Sequence, residues 1–342
     1  MKPYVIAGLA VVGSLLTIAM VFTSGWNLPP AESSQLGYRG VGLVETVDKG
    51  GNAATVAANM APEPIYPYEP IADEPLAKDV YENVQVLGDL PDSQFTRLMA
   101  HITEWVAPEE GCGYCHNLEN LADDSLYTKV VSRRMIQMTQ HINVDWTDHV
   151  ADTGVTCYTC HRGQNVPAEI WFSGDGPKGA KGMAGYRGEG QNVAGVNVGL
   201  TSLNYDPFTP LLLEDGQIRV ATGSALPAGA NTSIQLTERT YSLMIHMSEG
   251  LGVNCAYCHN SRNFADWGQS SPARMTAWHG IQMVRDLNNE YLVPLGTTLP
   301  ENRLGPAGDA PKAYCTTCHN GVNKPLNGTK MVEDFPSLRP AN

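Results

Sequence analysis

The chain of 342 residues has eight cysteines, and all of them fall into four copies of Cys-x-x-Cys-His. These are Cys112, Cys115 and His116; Cys157, Cys160 and His161; Cys255, Cys258 and His259; and Cys315, Cys318 and His319. Two thiols at this spacing attach to the vinyl groups of one haem as thioethers, and the adjacent histidine then lies under the iron. A four-cysteine zinc site pairs Cys-x-x-Cys units but has no use for a histidine at the same offset four times. The pattern therefore reads as four covalently bound haem c groups, with His116, His161, His259 and His319 as proximal ligands.

The sixth ligands decide what such haems do, because methionine opposite histidine raises the reduction potential and a second histidine leaves it lower. Met99 lies 17 residues before His116, and Met244 lies 15 before His259. That similar placement favours these two, with His101, His246 and Met247 as rivals on the same stretches. For the second haem Met135 and Met138 are available, and for the fourth His141, His149 and His279. Residues 135–146 (MIQMTQHINVDW) match 280–291 (GIQMVRDLNNEY), so Met138 aligns with Met283 and Met135 with Gly280. The fourth haem thus lacks whatever Met135 provides to the second. A different register, Arg134-Met135 on Arg274-Met275, would offer Met275 instead.

The elements that must position these groups are mainly α-helical with much irregular structure, since Gly 34 and Pro 23 interrupt regular backbone. A helix starts at Asp92 or Ser93 as cap, carries Phe95, Leu98, Met99, Ile102 and Val106 on one face, and stops at Pro108. The same unit recurs with Ser233 or Thr237 as cap, followed by Tyr241, Met244, Ile245 and Met247. The expected organisation is two pseudo-symmetric two-haem units, 92–165 and 233–322. A transmembrane anchor over 1–23 and a Pro/Gly-rich arm over 24–91, laid across a surface, precede them. A connecting segment, 166–232, holds a Gly-rich loop at 173–200 and a short strand at 217–221. A tail over 323–342 closes the chain. The arm around 60–75 is the candidate contact with membrane-embedded partners.

Tyr4 to Phe22 is an uncharged run of 19 residues. At helical rise it spans about 28 Å, close to the hydrocarbon thickness of a bilayer. Lys2 precedes it and no Lys or Arg follows until Arg39, so the N-terminus is expected in the cytoplasm and the remainder outside it. A cleaved signal peptide is the rival, but the run exceeds a usual h-region and no small-x-small site ends it. Both deliver the haem motifs to the periplasm. The formal charge of −13 makes nucleic acid a poor partner and suits a basic one, attracted in a salt-dependent way.

Beyond the haem motifs, the stretches Val155 to Gly163 (VTCYTCHRG), Leu203 to Phe208 (LNYDPF) and Met283 to Asn288 (MVRDLN) resemble the tetrahaem cytochrome subunit of purple-bacterial photosynthetic reaction centres. The likeness runs from about Pro62 to Pro340. It implies sixth ligands at Met99, Met135 and Met244 for the first three haems and at His149 for the fourth. It implies spatial order one, two, four, three, with the third haem nearest the bacteriochlorophyll special pair. The partners it implies are the reaction-centre membrane subunits, a surrounding light-harvesting complex, and a soluble cytochrome c or high-potential iron–sulfur protein as donor. Arg274 falls near the place of a family arginine beside the third haem, as a possible propionate partner; Arg133, Arg134 and Arg162 are vaguer ones. Many members begin with a lipid-modified cysteine; this chain has an apolar run there instead. Membrane-anchored tetrahaem quinol dehydrogenases also combine an N-terminal helix with four such motifs, but use mostly histidine as distal ligand. A multihaem reductase needs an open iron, which a chain offering a sixth ligand to every haem does not leave.

Overall fold

A computed structural model describes residues 3–23, 31–37, 41–67, 69–174, 203, 206–220 and 233–340. The first helix, α1 (Pro3–Thr23), has a mean hydropathy of 2.5 over 3–22, and none of its most apolar stretch is buried inside the protein. It is long and apolar enough to cross a membrane.

The region expected to be an irregular arm contains regular structure. Strands β1 (Ala31–Gln35) and β2 (Val44–Asp48) pair antiparallel, with Ala31 opposite Asp48 and Gln35 opposite Val44. Helix α2 (Lys49–Ala58) follows directly, capped by Asp48, which accepts the Gly50 N–H at 2.9 Å. The described residues of the proline cluster after it form neither helix nor strand, and they lie on the chain's own surface. The Ile65 N–H donates to His101 Nε2 at 3.1 Å, and Arg97 Nε donates to the Tyr66 carbonyl at 2.9 Å. A single turn, α3 (Ala77–Val80), leads to the first long helix of the haem-bearing part.

That helix, α4 (Asp92–Val106), starts where expected but is capped differently. Pro91 holds the cap position, and the Ser93 N–H is satisfied by Glu74 Oε2 at 2.8 Å, so the arm supplies the cap. Helix α5 (Tyr127–Asp145), the turn α6 (Thr147–Val150) and the turn α7 (Cys157–His161) complete the first haem-bearing stretch. Helix α8 (Ile234–Leu251) is capped by Ser233, whose hydroxyl accepts the Leu236 N–H at 3.1 Å. The turn α9 (Cys255–Cys258), helix α10 (Ala273–Asp286) and the turn α11 (Cys315–His319) follow in the same order.

No strand forms at 217–220, and 221 lies outside the described residues, as does nearly all of the 173–200 loop. The Ile218 carbonyl and carbonyls just before this stretch are taken by side chains. Arg285 donates to the Leu211 and Gly216 carbonyls at 2.8 and 2.7 Å and pairs with Asp215 at 2.7 Å, and Thr240 donates to the Ile218 carbonyl at 2.9 Å.

Two apolar cores stand behind the helices. One gathers Ile142, Val155, Phe208, Leu212, Leu243 and Ile281. The other gathers Leu98, Trp105 and Cys157 with Val332, Phe335 and Leu338, so the proline-punctuated tail is part of a core.

The asparagine shared by the two internal matches has the same job twice. Asn143 donates to the Val155 and Leu338 carbonyls and accepts the Val155 N–H; Asn288 donates to the Leu212 and Ala313 carbonyls and accepts the Ala313 N–H. Both are fully buried, and each holds the backbone two residues before a Cys-x-x-Cys-His motif. Replacing either by alanine leaves buried main-chain groups unpaired. Asn143→Ala or Asn288→Ala is expected to cost about 2–5 kcal/mol. Denaturant unfolding of the haem-loaded chain would reveal it as a lowered midpoint.

Candidate haem attachment site

Each motif sits on a single tight turn. In α7 the Thr156 N–H donates to Thr159 Oγ1 at 3.0 Å, and in α11 the Tyr314 N–H donates to Thr317 Oγ1 at 3.0 Å. Both turns end in a left-handed residue, Arg162 at φ 51° and Asn320 at φ 52°, followed by a left-handed glycine, Gly163 and Gly321. Those glycine N–H groups bond the ends of the preceding long helices, Gly163 to the Trp105 carbonyl at 2.9 Å and Gly321 to the Gly250 carbonyl at 2.8 Å. The first and third motifs lie on a 3-10 turn (Gly111–Tyr114) and on α9. Thr128 and Ser271 donate hydroxyl hydrogens to the carbonyls of Tyr114 and Tyr257, and Asn117 and Asn260 each accept the N–H two residues on.

The four motif histidines share one hydrogen bond. Nδ1 of His116, His161, His259 and His319 bonds the carbonyl of Leu121, Gln164, Phe264 and Val322, at 3.1, 2.9, 3.0 and 3.0 Å. A carbonyl only accepts, so Nδ1 carries the proton and Nε2 keeps a lone pair for a metal. Burial lowers the pKa of His161 and His259 and takes His319 to about 4, with His149 adding to the last. These imidazoles are therefore neutral at pH 7, as ligation requires. Burial also pushes Cys157 and Cys315 up to about 12, so their sulfurs are neutral and fit against an apolar macrocycle. The residues present fit covalent haem.

His149 behaves as a fifth member of this set. Its Nδ1 donates to the Thr276 carbonyl at 2.9 Å, and its ring lies edge-on to that of His319, with centroids 6.0 Å apart and planes at 68°. That spacing admits one metal between the rings, with bonds of about 2 Å to each nitrogen. A Cβ on Gly280 would lie 2.5 Å from His149 Cε1. The glycine that replaces Met135 in the internal match is thus what lets His149 in.

The rival histidines are engaged elsewhere. His101 donates Nδ1–H to the Arg97 carbonyl at 2.8 Å and accepts the Ile65 N–H on Nε2, which leaves no nitrogen for iron. Its ring packs on Trp105 and Phe335. His246 is buried with its ring stacked on Tyr314 at 4.5 Å and edge-on to Phe208 at 4.7 Å. His141 bridges Asp145 at 2.7 Å and Asp286 at 2.5 Å through both nitrogens. Met99 and Met135 are half-buried on α4 and α5, Met244 and Met247 both pack against the first core, and Met275 is half-exposed.

The second and fourth motifs touch. Cys160 Sγ and Cys318 Sγ are 2.9 Å apart, and α7 packs on α11. In turn α7 packs on α4, α11 on α8, and α9 on α10. Among the arginines, Arg133 is held bidentately by Asp124 at 2.9 Å, and Arg134 lies over Tyr291 and donates to the Glu290 carbonyl. Arg274 stacks on Trp267 at 3.9 Å and donates to Ser270 Oγ at 2.8 Å. Arg162 reaches across to the Cys318 carbonyl at 3.4 Å, and its Nε is buried without a partner. Arg162 therefore keeps a buried donor for a propionate, whereas Arg133 is committed to Asp124 and the Asn83 carbonyl.

Residues 27–339 match the family model of the photosynthetic reaction centre cytochrome c subunit. The chain is 51% identical to that subunit of Rubrivivax gelatinosus, over 97% of this chain and 91% of the relative. It is 47% identical to the one of Thermochromatium tepidum, over 95% of this chain and 79% of the relative. For Roseobacter denitrificans the identity is 46%, over 97% and 91%. The chain belongs to the family of photosynthetic reaction centre cytochrome c subunits, electron carriers with covalently bound haem c rather than enzymes.

Proposed function

We propose that the chain carries four haems and passes electrons from a soluble periplasmic carrier to the photo-oxidised special pair of the reaction centre. The observation that carries this reading is the common geometry of the four motif histidines, each with Nδ1 on a carbonyl and Nε2 left for iron. Haem iron supplies the one-electron chemistry; the residues orient it and set its potential. Met99, Met135 and Met244 are assigned as sixth ligands of the first three haems and His149 of the fourth. The engagement of both ring nitrogens of His101 and of His141 in other bonds supports that choice, as does the neighbouring pair His149–His319.

The relay order one, two, four, three is supported by the sulfur contact between the second and fourth motifs. The third motif as the membrane-side end is supported by chain length. Eight residue steps join α1 to β1, a reach of at most about 29 Å, and β2 packs on α9. The first motif is then left for the donor, a soluble cytochrome c or high-potential iron–sulfur protein. The reading includes two pseudo-symmetric two-haem units, supported by the paired bonds of Asn143 and Asn288 and of Gly163 and Gly321. The charge pattern around α1 supports an anchor with a cytoplasmic N-terminus and the haems on the periplasmic face. A light-harvesting complex around the assembly completes the proposed set of partners.

Flash absorption on native membranes tests the function. After one saturating flash under reducing conditions, a c-haem α-band should bleach in step with re-reduction of the special pair. No haem signal with the haems reduced would bring a quinol-dehydrogenase role forward. Re-reduction by the soluble donor should slow as salt rises, because a net charge of −13 steers a basic partner. A rate flat from low to moderate ionic strength would remove charge steering.

Ligand variants test the site. Met244→His should lower the potential of the third haem; an unchanged titration points to Met247 or His246. Gly280→Ala should push His149 away from His319, and electron paramagnetic resonance would register loss of the bis-histidine signal.

A further inference from the structure

The segment from Gly42 to Asn59, expected to be part of an irregular arm, straps two motifs together. At its start the Gly42 carbonyl accepts the Ser261 N–H at 2.8 Å. At its end Asn59 Nδ2 donates to the Asn320 carbonyl at 3.1 Å. Between them β2 brings Glu45 against the third motif. Glu45 is 6% exposed, and its Oε1 accepts the N–H of Asn254, the cap residue of α9, at 3.4 Å.

A carboxylate this deeply buried needs a reason, because burial without a strong partner is costly. Its neighbours supply little compensation. Asp48 on the same strand caps Gly50, and Lys49 on α2 is paired with Glu32 of β1 at 3.4 Å. Glu45 on β2 and Arg274 on α10 lie on elements that both pack on α9, with Arg219 and Asp266 as the other charges acting on Arg274. For Glu45 itself burial raises the pKa, against the Asn254 N–H, which lowers it.

We propose that Glu45 sets the reduction potential of the haem attached at Cys255 and Cys258, as a buried acid that opposes Arg274. The proposal rests on attachment of a haem at that motif and not on the identity of its sixth ligand. A negative charge in low-dielectric surroundings favours the oxidised iron, so the ionised carboxyl lowers the potential and Arg274 raises it. Since burial raises the Glu45 pKa, the lowering is complete only at high pH and fades as the carboxyl gains its proton.

Glu45→Gln keeps the size and an acceptor for the Asn254 N–H while removing the charge. The test is an α-band redox titration of the complete complex in membranes, at about pH 6 and about pH 9, either side of a raised carboxyl pKa. At the higher pH one component should shift upward about tenfold in its reduction equilibrium, equal to 59 mV for one electron. At the lower pH the shift should be smaller. Arg274→Gln should move the same component downward, and Glu45→Asp should leave it near the parent value. An unmoved titration at high pH overturns the proposal, as does movement of a component other than the one Arg274→Gln moves. If Glu45→Gln fails to assemble with haem, the parent chain decides: that component must fall with rising pH, and a flat response overturns the proposal. A component that answers to Glu45 and Arg274 but not to Met244→His keeps this assignment and removes Met244 from the iron.

Discussion

One hydrogen bond recurs in every haem motif and the rest of the site depends on it. The motif histidine donates Nδ1–H to a carbonyl three residues on in the second and fourth motifs and five residues on in the first and third. That bond selects the tautomer, fixes the ring about its side-chain torsions and directs Nε2 outward. The backbone after the histidine must therefore return to it. In the second and fourth motifs two consecutive left-handed residues turn the chain, and glycine at the second of them carries no Cβ penalty. In the first and third motifs an asparagine directly after the histidine nucleates the returning loop.

The turns are too short to hold themselves, so their positions come from the long helices. Trp105 and Gly250, near the ends of α4 and α8, accept the glycine N–H groups of the second and fourth motifs. Asn143 and Asn288 clasp the backbone entering the same two motifs from the other side. A Cβ on Gly252 would lie 2.0 Å from the Gly321 carbonyl, so the end of α8 approaches the fourth motif as closely as backbone allows. Together these contacts bring Cys160 and Cys318 side by side.

Polar residues in the interior do a second job, which is to leave the right groups for iron. His101 and His141 are each held through both ring nitrogens and are thereby withdrawn from metal binding, while His246 packs its ring on Tyr314 and Phe208. His141 is raised in pKa by Asp286 and Asp145 against the opposing effect of burial, unlike His161, His259 and His319, which burial keeps neutral. Chemically identical side chains thus divide into ion-pair partners, aromatic packing units and ligands according to what surrounds them.

Short-range chemistry was legible in the chain itself. The Cys-x-x-Cys-His spacing, the apolar run of α1, the starts of α4 and α8 and the Met135–Gly280 exchange all rest on residues a few positions apart or on direct internal matches. Tertiary structure alone decided what depends on distant partners. His101 is engaged by Ile65, His141 by Asp286 and His149 by Thr276, across separations of 36, 145 and 127 residues. The β1–β2 hairpin and the burial of Phe335 and Leu338 escaped the sequence for the same reason, since glycine- and proline-rich segments have little periodicity of their own. Residue type and local spacing determine which atoms are able to bind haem iron. Which of them still has a free lone pair is decided by the hydrogen bonds that folding has already given to the others.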